Sequence, residues 1–138
     1  MTLKKTRVSN KIEWRNEEGV LHRVDGPAVE WDHGTKEWFF NGELHRVGGP
    51  AVEFSSGGKE WWLNGVKHRM YGPAIESSNG DNRWYSFGKL HRIDGPAVEL
   101  SSGRVGWFLD GTNYSSQESW FKALDKDSQI AYLFNMEK

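Results

Sequence analysis

The chain has 138 residues and no cysteine. That excludes disulfides and thiolate metal sites and fits a reducing compartment. It also lacks an excess of either charge, with 18 Lys and Arg against 19 Asp and Glu and a formal net charge of −1. Tight nucleic-acid binding draws on a basic footprint, so general nucleic-acid binding is not expected. No apolar run nears the roughly 18 residues that a membrane span requires. The start, Met1-Thr2-Leu3-Lys4-Lys5-Thr6-Arg7, is basic but has no apolar stretch of the kind a signal peptide carries. The expectation is a soluble, cytoplasmic protein. Catalytic signatures are missing as well: there is no Gly-x-Ser-x-Gly, no phosphate loop and no His-Glu-x-x-His. Asp25 and Asp94, the candidates for paired acids near a repeated His, suit turns better than acid–base work. Neither an enzyme nor a cofactor is expected.

What the chain has is repetition. His-Arg-x-x-Gly-Pro-Ala-[Val/Ile]-Glu occurs four times, starting at His22, His45, His68 and His91, and successive starts differ by 23 residues. A period of that length marks a repeat architecture. Upstream of each later motif stands a Trp (Trp38, Trp61, Trp84), and Trp107 continues the column. The next residue is always aromatic: Phe39, Trp62, Tyr85, Phe108. Gly42, Gly65, Gly88 and Gly111 follow four residues after each Trp. Trp14 and Gly19 read as a leading half-unit with one extra residue between them.

Each unit reads as two strands. The Ala-Val-Glu segment is short, β-branched and alternating, and it ends at a turn such as Ser55-Ser56-Gly57-Gly58. The second strand carries the Trp-aromatic pair and ends at Asn41-Gly42, Asn64-Gly65 or Asp110-Gly111, where Gly supplies positive φ. The four prolines, Pro27, Pro50, Pro73 and Pro96, open strands, where the missing N–H is tolerated. The expected fold is an all-β array: an antiparallel β-hairpin ribbon or solenoid of 23-residue units. Residues 1–11 form an N-terminal arm in this reading, residues 12–111 the half-unit and four repeats, and residues 112–138 a C-terminal helical cap. Ser115 and Glu118 suggest a capping box, and the apolar spacing predicts one bent helix or two short ones over about residues 116–136. Lys4, Lys5, Arg7 and Lys11 suit a sheet edge kept from pairing with other chains.

The unit W-[aromatic]-x-[Asn/Asp]-G-x-x-H-R-x-x-G-P-A-[Val/Ile]-E resembles the MORN repeat. Asn41-Gly42, His45 and Gly49 match that repeat's skeleton, as do Asn64-Gly65, His68 and Gly72. Arg after the His, and the Pro, depart from it. Arrays reading His-Arg-x-Asp-Gly-Pro-Ala are similar to proteins of large bacteriophages and giant viruses. The units at His22 and His91 match that string in full, while Gly48 and Tyr71 depart in the middle two. The resemblance covers roughly residues 12–111. It implies an elongated hairpin array that scaffolds protein partners and, in some relatives, acidic phospholipids. In a viral setting the compartment would be the host cytoplasm and the partner a host protein.

The columns set the candidate binding residues. Successive column His residues lie two strands, or roughly 10 Å, apart, too far to share a metal whose ligands sit near 2 Å from the ion. No metal site is expected, and each His tip has a turn backbone to bond. Arg23, Arg46, Arg69 and Arg92 have two options. Each may pair with the Glu seven residues on, pinning adjacent hairpins, or stand free as a positive row for phosphate or an acidic partner. Adjacent strand residues point to opposite faces, so the two aromatic columns cannot share a side. The invariant Trp column suits the core. Phe39, Trp62, Tyr85 and Phe108 suit a surface groove, with the four Arg, His45 and His68 beside them. The leading expectation is a protein-interaction module. The alternative is a binder of nucleotide or acidic phospholipid through the Arg and aromatic rows.

Overall fold

The computed structural model describes residues 2–137. The residues read as an arm form an edge strand, β1 (Lys4–Val8), paired antiparallel with β2 (Lys11–Arg15). From there an eleven-stranded antiparallel sheet runs to Thr112–Tyr114 and stays open rather than closing into a barrel. Each unit gives the sheet two short strands, as Val29–Trp31 with Lys36–Glu37 and Val52–Glu53 with Lys59–Glu60. Each of the first three Trp-aromatic segments then forms a separate small hairpin, such as Phe39–Phe40 with Glu43–Leu44.

The register repeats with the sequence. Val29 faces Glu37, Val52 faces Glu60, Ile75 faces Arg83 and Val98 faces Gly106. One position along, Glu30, Lys36, Glu53, Lys59 and Glu76 stand opposite one another in turn, so unlike charges alternate across the sheet. Opposite charges in directly facing positions each add a few tenths of a kcal/mol, about 0.2–1 at most.

The fully buried column is Ala28, Ala51, Ala74 and Ala97, each with no exposed surface. The Ala51 amide donates to the Glu60 carbonyl and its carbonyl accepts from Trp38, at 2.8 and 2.7 Å. The same pair of bonds recurs at Ala74. Both main-chain groups of the Ala are thus committed where two units meet. The Trp column is not the core expected of it: Trp38, Trp61, Trp84 and Trp107 are half-buried, and so are Phe39, Trp62, Tyr85 and Phe108. A one-layer ribbon has no second layer to cover a Trp face, so a side chain of the same unit covers it instead.

Two helices follow the last strand, α1 (Gln117–Ala123) and α2 (Lys126–Met136). The capping box lies one residue later than the sequence suggests. Ser116 is the N-cap and accepts from the Ser119 amide, while the Ser119 hydroxyl takes the place assigned to Glu118. Helix register is set by the seat of Trp120, which is fully buried against Trp107 at 4.7 Å between ring centroids. The Trp120 indole donates to the Arg92 carbonyl at 3.1 Å.

Candidate functional site

Each motif residue has a specific task. The four column His residues use Nδ1 to accept a backbone N–H nineteen residues on, from Asn41, Asn64, Phe87 and Asp110, at 2.9–3.0 Å. Those donors are turn residues with φ between 46° and 49°, positions that L side chains rarely adopt. The next turn amide, at Gly42, Gly65, Gly88 or Gly111, donates to the carbonyl just before the His. Each unit therefore holds the turn of the following one. With Nδ1 accepting, the neutral ring carries its proton on Nε2. His22 and His68 are buried, and rings cover them: Phe40 lies 4.6 Å from His22 and Phe87 stacks at 4.0 Å on His68.

The Arg column is equally committed. The guanidinium carbons of Arg46, Arg69 and Arg92 lie 3.7–3.9 Å from the ring centroids of Trp38, Trp61 and Trp84, and Arg23 lies 4.2 Å from Trp14. Nη1 of each also donates to the carbonyl of Pro27, Pro50, Pro73 or Pro96 at 3.0–3.1 Å. Arg46, Arg69 and Arg92 pair with Glu53, Glu76 and Glu99 at 2.8–3.1 Å, and Arg23 meets Glu30 at 3.7 Å and Asp25 at 3.0 Å. These pairs tie the loop after one small hairpin to the first strand of the next, as with Arg46 after Phe39–Leu44 and Glu53 in Val52–Glu53, and the His bonds add a second link from each unit to the turn of the following one. The Gly of Gly-Pro belongs to the same assembly. A Cβ at Gly26, Gly49, Gly72 or Gly95 would fall 2.8–3.0 Å from the Arg guanidinium carbon. The motif is one device: Trp below, Arg on its face, Gly leaving room, and Pro and Glu oxygens accepting hydrogen bonds from the guanidinium.

The second aromatic column makes separate contacts. The Trp62 indole donates to Glu60 at 3.0 Å, and Lys67 lies 5.4 and 5.2 Å from the rings of Trp62 and Tyr85. The structure thus places Arg46 and His45 beside one hollow and Trp62 and Tyr85 beside another. The first is a groove of about 640 Å³ between two His-Arg loops, lined among others by Arg23, Val24, Trp38, Phe40, Arg46 and Val47.

The sequence reading passed over one column. The residue after each His-Arg is apolar in all four units: Val24, Val47, Met70 and Ile93. The first three are 76, 82 and 74% exposed, and Tyr71 beside Met70 is 84% exposed. An apolar side chain at a loop apex in every unit was the available signal. Ile93 is less exposed, at 47%, and lines a hollow with Leu124 of the cap.

Three carboxyls are held below their ordinary range. Glu13 is buried between Lys11 and Arg15, and the Lys11 hydrogen bond chiefly lowers its pKa against the cost of burial, with Arg15 adding to it. Asp81 is lowered by the Ser101 backbone N–H, which donates to it at 2.7 Å and ties the third unit's turn to the fourth. Asp125, the N-cap of α2, is lowered by the Ser128 N–H. Among the described residues no three metal-ligating side chains converge, and no helix is long and apolar enough to cross a membrane. Set against protein-family models, curated proteins and solved structures, the chain finds no significant match.

Proposed function

We propose that this chain is a MORN-like repeat solenoid acting as a non-enzymatic protein-interaction module, or scaffold, in the cytoplasm. The observation that carries the reading is the row of Val24, Val47 and Met70, apolar, largely exposed and repeated in register. What supports a binding role is that the exposed apolar side chain recurs in register at each loop, which lines up these residues along one edge of the array, where a partner could meet them together. The Arg row supports the shape of this surface and not a phosphate site. Each guanidinium is neutralised by a carboxylate and laid on a Trp face, so phosphate would have to displace a ready-made pair. That weighs against nucleotide or acidic phospholipid as the ligand. Should the chain act in a virus, the partner is a host protein.

The test is affinity capture of the tagged protein from its native cellular setting, read by quantitative mass spectrometry, beside Val47→Glu/Met70→Glu and Arg46→Glu/Arg69→Glu. One protein recovered at near-stoichiometric yield, and lost with the Val47→Glu/Met70→Glu form, supports the reading. No enriched protein, or nucleotide or lipid retained by the wild type and lost with the Arg variant, overturns it.

A further inference from the structure

The large sheet has two ends, and they are built differently. At the first, the free edge belongs to β1, which carries Lys4, Lys5 and Arg7. Charge on an edge strand hinders pairing with other chains. At the other end stands the strand Val105–Leu109. Its Val105 and Gly106 pair with Glu99 and Val98, and its Trp107, Phe108 and Leu109 pair with Tyr114, Asn113 and Thr112. Among the described residues no strand pairs with Val105 and Gly106 on their second side.

In the earlier units that side is filled. Lys36, Lys59 and Asn82 hold the place of Val105, and each faces the Glu of the next unit's strand: Glu53, Glu76 and Glu99. The period puts the following strand at Phe121 and Lys122, and both lie in α1. What is left beside the last strand is a hollow of about 640 Å³, lined among others by Val98, Leu100, Val105, Trp107, Phe108 and Tyr114. The Leu100 N–H donates to the Arg104 carbonyl at 2.9 Å. Bonded and non-bonded pairs alternate along an antiparallel ladder, so Val105, opposite Glu99, turns its N–H and C=O to the open side. The charge of the earlier units is gone here. Val105, 52% exposed, replaces Lys, Lys and Asn, and Gly106 replaces Glu37, Glu60 and Arg83. The Phe108 ring closes over Gly106, 3.0 Å from where a Cβ would stand.

We propose that this open end accepts one extended segment of another protein, which adds to the sheet beside Val105 as a further strand. The strands that fill the equivalent places define its chemistry. Each puts a fully buried Ala first (Ala28, Ala51, Ala74, Ala97), then Val or Ile, then Glu. The incoming segment therefore carries a small residue, then a β-branched one, then the residue that faces Val105. A β-branched side chain suits that third place better than Glu, because no Lys stands across from it. A second copy of this chain does not fit. Its β1 pairs Thr6 and Arg7 with Glu13 and Ile12 as Val29 and Glu30 pair with Glu37 and Lys36, so Lys5 falls at the place of the buried Ala. The site shares no residue with the row of Val24, Val47 and Met70, and the proposal stands whatever that row binds.

The probe is a synthetic peptide with the sequence of residues 48–55, in its natural form and with Glu53→Val. Each is titrated into the isotope-labelled full chain, and amide exchange is followed residue by residue. Both peptides are expected to slow exchange at Val105, and the Glu53→Val form to bind roughly 2–5-fold more tightly. Val105→Lys restores the residue of the first two units and is expected to reverse that preference. A peptide with Ala51→Arg is expected not to bind, since the Ala place has no room. The peptide changes leave the protein untouched, so the test holds even if Val105→Lys lowers stability. Exchange at Val105 that no peptide slows overturns the proposal, as does equal binding of the Ala51→Arg form or a preference that Val105→Lys leaves unchanged. Self-association that slows exchange at both Val105 and Arg7 gives the edge to a second copy and overturns it as well.

Discussion

Gly49→Ala isolates the Arg–Trp device, because Gly49 lies outside the positive-φ positions and an Ala there meets no backbone strain. Its Cβ would sit 3.0 Å from the guanidinium carbon of Arg46 and 3.1 Å from Nε and Nη1. The Arg is the movable party, so the cost is capped by what its head group gives up. That head group lies 3.9 Å from the Trp38 centroid, donates to the Pro50 carbonyl at 3.0 Å and pairs with Glu53 at 3.1 Å. A half-exposed cation–π contact contributes ~1 kcal/mol, a neutral-acceptor hydrogen bond ~1, and a partly exposed ion pair ~0.5. Against this, Gly→Ala stiffens the unfolded chain and stabilises by about 0.4–1 kcal/mol. Gly49→Ala is therefore expected to destabilise by roughly 1–2 kcal/mol. Arg46→Ala removes the obstacle, and in that background Gly49→Ala is expected to stabilise by about 0.4–1 kcal/mol. Urea unfolding of the four proteins in the cycle measures this. A Gly49→Ala cost that is equal in both backgrounds would show that the glycine serves something other than the guanidinium, and the account of the motif would fail.

Trp120→Ala is expected to cost about 3–5 kcal/mol in urea unfolding, the range for emptying a buried Trp site, whereas Trp120→Phe should cost only about 1 through the lost bond to the Arg92 carbonyl. Equal losses would mean that the indole N–H, not the ring on Trp107, holds the cap. Glu13, Asp81 and Asp125 titrate below their unfolded values, so protonation favours the unfolded chain. Their contribution is complete above about pH 5, clear of the unfolded values, and drains away as pH falls through the lowered folded values. Urea midpoints measured from neutral to acid pH should fall on the acid side, and Glu13→Gln should flatten that slope. Deleting residues 45–67, which joins Leu44 to His68, should leave a folded, cooperatively melting protein of lower stability. An unfolded product would deny that the units are interchangeable.

The hairpins were readable because strand alternation and Asn-Gly turns are local signals, and a fixed period repeats them. The role of His was readable in kind, since a ring nitrogen beside a turn suggests a backbone bond. Its partner nineteen residues on was not, because that depends on how units stack. The Trp column was misread as core because its cover is the charged end of Arg, eight residues on, and hydrophobicity alone does not anticipate a guanidinium roof. The same rule explains the cap. The position eight residues after Trp107 is Ser115, so no Arg arrives, and Trp120 takes its place over the ring. Ser115 and Ser116 are equally able caps in sequence terms, and packing chose between them.

The His bonds all point one way along the chain, from each unit to the turn that follows. On a ribosome the N-terminal units emerge first, at about 5–20 residues per second. Each acceptor nitrogen is then already in place when the turn it receives leaves the exit tunnel. The array can close like a zipper behind the moving end, with only the newest unit unfinished at any moment. Trp107 stays uncovered until α1 follows it out, so the nascent array carries one bare Trp ring at its growing end, and the arrival of Trp120 is what covers it.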